Sequence, residues 1–161
     1  MKSLLIALVA TCLFGSFSAH ASAADTLMSK LKEAKWDGII GTWVDEETGG
    51  KNNTTSYAWK IKDRVIEVHT KDKDNETVAL MGVNAQNGQV FHMGADKNGA
   101  SSLGEWKIDA DGSAVLSLAF TGADGKQGAV QIRQKMLGKD KLEITIQLAQ
   151  PLRYTLVRKK K

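Results

Sequence analysis

Cysteine and proline are almost missing from this chain: Cys12 and Pro151 are the only ones in 161 residues. Cys12 falls within an apolar run from Leu4 to Phe14 that follows Met1-Lys2-Ser3 and precedes Ala19-His20-Ala21-Ser22-Ala23. One positive charge, a short apolar core and overlapping small-x-small sites make up a cleaved export signal, with cutting expected after Ala21 or Ala23. The apolar core of roughly a dozen residues is shorter than the roughly 20 that span a bilayer, so no integral membrane segment is expected in the mature chain. Val9-Ala10-Thr11 before Cys12 does not favour lipoprotein cleavage. With residues 1–23 removed no thiol remains, which excludes disulfides, zinc-thiolate sites and cysteine nucleophiles together. A periplasmic or secreted location is the expectation.

Excess charge is scarce as well. Loss of Lys2 with the signal leaves 21 basic against 18 acidic residues, a net charge of +3, and Arg158-Lys159-Lys160-Lys161 supplies more than the whole of it. Residues 159–161 read as a solvated basic tail, with attraction to an anionic membrane or polymer as the alternative. No nucleic-acid partner is expected. A mature chain of this length fits one domain that buries about two thirds of its unfolded surface.

What is present is periodicity. Leu27, Leu31 and Ala34 stand at helical spacing, with Asp25 or Thr26 available as N-cap, which predicts one short amphipathic helix within residues 24–36. Beyond it the period becomes two. Thr55, Tyr57, Trp59 and Ile61 alternate with polar neighbours, as do Leu142, Ile144, Ile146 and Leu148, and Ala114, Leu116, Leu118 and Phe120 form a third such row. Asn87-Gly88, Asn98-Gly99, Asp111-Gly112 and Asp124-Gly125 supply hairpin turns between such runs. Nine or ten strands running up and down over residues 37–158 are predicted, with Pro151 bending the chain into the last. Closing the sheet removes its edges, so an all-β antiparallel barrel is expected over a sandwich.

Gly41-Thr42-Trp43 opens the first strand and Arg153-Tyr154-Thr155-Leu156-Val157-Arg158 closes the last. This arrangement resembles the lipocalin or calycin superfamily, in which a Gly-x-Trp motif puts an indole across the closed end of a barrel and a basic residue of the last strand packs on it. The resemblance implies those structural roles for Gly41, Trp43 and Arg158, with Arg153 as second choice for the cation. The order of Gly41-Thr42-Trp43, Tyr57-Ala58-Trp59-Lys60, the turn from Gly82 to Gly88, and Gly104-Glu105-Trp106 is similar to that of uncharacterised secreted bacterial lipocalin-like domains. It implies a barrel and the binding of a small hydrophobic ligand. Heme is not implied, because Val44-Asp45 continues the first strand into acidic residues.

Chemistry-bearing motifs are few. His69 and His92 are the only histidines after residue 23, so no three-histidine metal centre can form within one chain. Both read as separate, half-exposed strand residues. Glu105 has no carboxylate partner at a spacing that would pair them for acid–base work. No Gly-x-Ser-x-Gly is present, and Gly49-Gly50 and Gly122 to Gly125 precede no helix, so neither a nucleophile elbow nor a phosphate loop is expected. No enzyme activity and no cofactor are expected. Tyr57, Trp59, His92, Glu105, Gln131 and Arg133 are the candidate ligand-binding residues inside the barrel, since aromatic bodies mixed with a few polar groups make up a small-molecule pocket. The alternatives are a barrel filled by its own side chains, serving structure or protein interaction in the cell envelope, and a barrel enzyme using His92 or Glu105.

Overall fold

Thr26 starts the only α-helix among the described residues. In the computed structural model, which describes residues 25–160, helix α1 spans Leu27–Glu33. The Thr26 hydroxyl accepts from the Ser29 amide at 3.0 Å and Ser29 Oγ accepts from the Thr26 amide at 2.9 Å, closing a capping box. Lys30 and Lys32 in the last turn suit its negative end. The helix turns Leu27 and Leu31 into the core, each burial stabilising by about 1.5–3 kcal/mol. The export segment expected over residues 1–23, with Cys12, lies outside the described residues.

Ten strands follow: β1 Gly41–Asp45, β2 Asn53–Ile61, β3 Val65–Asp72, β4 Glu76–Val83, β5 Val90–Asp96, β6 Ser101–Ile108, β7 Ala114–Thr121, β8 Gln127–Met136, β9 Lys141–Gln147 and β10 Leu152–Arg158. Each pairs antiparallel with the next, and β1 pairs with β10 (Trp43 opposite Arg158, Val44 opposite Val157), so the sheet closes into an up-and-down barrel. β10 begins directly after Pro151, where no ladder donor is needed.

The connections put α1, the 3-10 turn Asp37–Ile39 and the β2–β3, β4–β5, β6–β7 and β8–β9 turns at one end of the barrel. Two long-range bonds fasten the N-terminal segment there. The Met28 amide donates to the Asp63 carbonyl at 3.2 Å and Trp36 Nε1 donates to the Gly112 carbonyl at 3.0 Å. At this helix-bearing end Leu27, Trp36, Ile39, Trp43, Ile66, Leu142 and Leu156 are buried in the core. No helix among the described residues is long and apolar enough to cross a membrane.

The ends of all three expected apolar rows leave the core, Phe120 being exposed near the end of β7. The register of β2 against β3 shifts between Trp59 and Ile61, and this irregularity carries Ile61 out to solvent. Leu148 lies past the end of β9, in the turn to β10, and is exposed.

Candidate functional site

Trp43 is fully buried at the helix-bearing end, and its Nε1 donates to the Ile39 carbonyl at 2.8 Å. The Arg158 guanidinium lies over the indole, 4.3 Å from the ring centroid, a contact worth about 0.5–2 kcal/mol. The same guanidinium donates to the carbonyls of Ile40 at 2.9 Å and Gly38 at 2.5 Å, tying the last strand to the segment that enters the first. Gly41 makes room for it: its φ is +136°, and a Cβ there would stand 2.6 Å from Arg158 Nη1. Arg153, the second choice for this cation, is the second residue of β10 and is exposed.

The barrel is not filled. A cavity of about 420 Å3 lies beneath α1, lined mainly by apolar groups including Leu31, Trp36, Ile39, Met81, Val90 and Ala114. A second, of about 340 Å3, occupies the half of the barrel away from the helix. Its walls are Val68, Ala79, Leu116, Ile132, Ile144 and other apolar side chains, with Asn53, Thr55, Thr70, Thr77 and Ser102 among its polar members. Tyr57, Trp106 and Gln134 line both cavities and so form their common wall. Gln134 Nε2 donates to Tyr57 Oη at 3.1 Å, and burial pushes the tyrosine pKa up to about 12. Tyr57→Phe should cost about 1–3 kcal/mol by orphaning the buried amide, and adding Gln134→Leu should recover most of that loss in urea unfolding.

His92 and Trp106 meet edge to face in this region, with ring centroids 6.1 Å apart. Both line the cavity away from the helix. His92 Nδ1 and Trp106 Nε1 are buried and have no hydrogen-bond partner. Such orphaned polar groups are rare in folded proteins and each costs about 1–3 kcal/mol. Burial, with no acidic group beside the ring to oppose it, holds the His92 pKa down to about 4, so the imidazole is neutral near pH 7.

No protein-family model matches the chain, and no curated protein is significantly similar to it in sequence. The site's own geometry therefore carries its interpretation.

Of the residues predicted from sequence, the structure brings Tyr57 and His92 to the cavity walls. His92 is buried, where a half-exposed histidine was expected, because it shares the inward row of β5 with Gly94 and faces Trp106. Trp59 packs against the core and lines neither cavity. Glu105, Gln131 and Arg133 lie on the outer face of the barrel, a correction with one cause. Pleating sends neighbours to opposite sides, and the inward places on β6 and β8 go to Trp106, Ile132 and Gln134. Glu105 accepts from Gln89 Nε2 at 2.9 Å, and Arg133 pairs with Asp109 and, at 3.4 Å, with Asp111. Trp106 and Gln134, in the wall common to both cavities, are among the polar members that sequence reasoning missed. Gln134 follows Val130 and Ile132 at a spacing of two, which was the available signal.

His69 sits on the outer face of β3, its Nε2 2.7 Å from Glu76 Oε1, far in sequence and environment from His92. Among the described residues no three His, Cys, Asp or Glu side chains gather as a metal ligand set.

Acidification should weaken the fold in two stages. The His92 pKa is lower folded than unfolded, so its contribution is present above about pH 6.5 and is lost as pH falls towards about 4. Asp45 is held well below the carboxylate range by the Thr48 hydroxyl and the amides of Asn53, Thr48 and Asn52. Asp111 is lowered to about 2, chiefly by the amide and hydroxyl of Ser113. Both carboxylates contribute above their unfolded values near pH 4 and lose that contribution below it. Urea unfolding between pH 7 and pH 3 checks both stages, and His92→Phe should abolish the first while leaving the second.

Proposed function

We propose that this chain is an exported lipocalin-like domain that holds a small hydrophobic or amphipathic molecule inside its barrel without transforming it. The observation that carries this reading is the unfilled interior: a cavity of about 340 Å3 with mostly apolar walls and two buried nitrogens that nothing in the protein satisfies. Pockets of this size and make-up suit small ligands. The closed antiparallel barrel and the stacking of Arg158 on Trp43 support the lipocalin-like assignment. Export rests on the make-up of residues 1–23. Binding without turnover fits the cavity chemistry, because His92 Nδ1 has no hydrogen-bond partner and Asp72, the one carboxylate lining the chamber, lies at the end of β3.

Titration with the uncharged fluorescent probe N-phenyl-1-naphthylamine tests this. Saturable uptake of one probe per chain, lost when Ala79 on the cavity wall is enlarged to Phe, is the expected result. No uptake would sink the proposal.

A second reading, an interaction domain of the cell envelope, is favoured by one observation. Met93 and Leu103 are paired across β5 and β6 on the outer face and are 45% and 63% exposed, beside the exposed Val78. Under that reading Leu103→Glu would abolish association with a partner, whereas the carrier reading expects unchanged probe uptake in the same variant.

A further inference from the structure

The polar content of the cavity restricts what can occupy it. No lysine or arginine lines the chamber, and the one carboxylate there, Asp72, lies at its helix-free rim at the end of β3. An anionic head group drawn inside would find no cation and would pass a negative charge on entry. A cationic head group would leave the rim carboxylate behind and meet only neutral groups beyond it. A buried charge without a counter-charge is strongly disfavoured.

Unmet hydrogen-bonding capacity restricts the occupant further. Trp106 Nε1 is a donor and nothing else, so what it lacks is an acceptor. A neutral imidazole has one donor and one acceptor nitrogen, so His92 Nδ1 fits either a hydroxyl or a carbonyl according to tautomer. The two rings meet edge to face in one wall of the chamber, with centroids 6.1 Å apart. The small residues Ala79 and Ser102, on the strands adjoining His92, line the same chamber.

We infer that the occupant is an uncharged amphiphile, an alcohol, ketone or ester with an apolar body, whose oxygen accepts a hydrogen bond from Trp106 and pairs with His92. This inference rests on the carrier reading above and names its ligand class.

Competition at pH 8 against N-phenyl-1-naphthylamine distinguishes the ligand class from the carrier role itself. Decanol and 2-decanone should displace the probe roughly tenfold or more better than decanoate or decylammonium, since the charged heads have no partner inside. Trp106→Phe keeps an aromatic wall and removes the donor, and it should weaken decanol roughly five- to tenfold more than it weakens the oxygen-free probe. In the unsubstituted protein, the Trp106 indole N–H resonance should move downfield when decanol binds, a readout that does not depend on any variant folding. Equal displacement by decanoate and decanol, or an unmoved indole resonance on decanol binding, would overturn the ligand class and leave the carrier reading standing. Failure of the probe itself to bind would overturn both.

Discussion

Trp43→Ala is expected to lower the unfolding free energy by about 3–5 kcal/mol. The indole is fully buried, so its removal opens a cavity among Ile39, Leu142 and Leu156 that a closed barrel has little freedom to collapse. Two further losses accompany it. The Ile39 carbonyl loses the indole donor, and the Arg158 guanidinium loses the surface on which it lies. Arg158→Met separates these contributions, because it keeps an apolar stem against Trp43 while removing the charge and the bonds to Ile40 and Gly38. A smaller cost of about 1–3 kcal/mol is expected for it. Urea unfolding at constant slope measures both, and a loss below about 1 kcal/mol for Trp43→Ala would contradict the role assigned to the indole.

Gly104→Ala should cost about 1–3 kcal/mol although it adds one methyl group. A Cβ at this position would run into the Ser117 carbonyl oxygen on the paired strand and would stand 3.0 Å from the side chains of Leu116 and Leu118. The closest of these is backbone in the β6–β7 ladder, so relief requires the two strands to part. Because Gly104 faces His92 across β5 and β6, the same change should also weaken uptake of N-phenyl-1-naphthylamine. Gly99→Ala is the contrasting case. Its Cβ meets nothing, and only its φ of +92° resists substitution, so any stability loss there should leave probe affinity unchanged.

The barrel was legible in the chain because period-two alternation recurs between turn signals, and because one proline and a run of hairpin glycines leave few other ways to fold it. The capped helix was legible for the same local reason. The ends of rows were not. Ile61 is turned out by an irregular register that only the neighbouring strand imposes, and Leu148 falls beyond the last residue of β9 that finds a partner. The site was legible in part. Alternation separates two faces of a strand, and closure decides which face is inside. On β8 Ile132 and Gln134 face in, and Gln131 and Arg133 accordingly face out to the solvent side, where Arg133 meets Asp109 and Asp111. The Tyr57–Gln134 bond spans 77 positions, and the meeting of His92 with Trp106 depends on the β5–β6 register, so neither is readable from local pattern.

Native mass spectrometry of the full chain purified from a secreting bacterial host, followed by extraction of whatever is bound, tests the proposed carrier role most directly. The expected result is one small, uncharged, oxygen-bearing amphiphile per chain, released on unfolding and retained less well by Trp106→Phe. An empty chain that also takes up no N-phenyl-1-naphthylamine would contradict the carrier role.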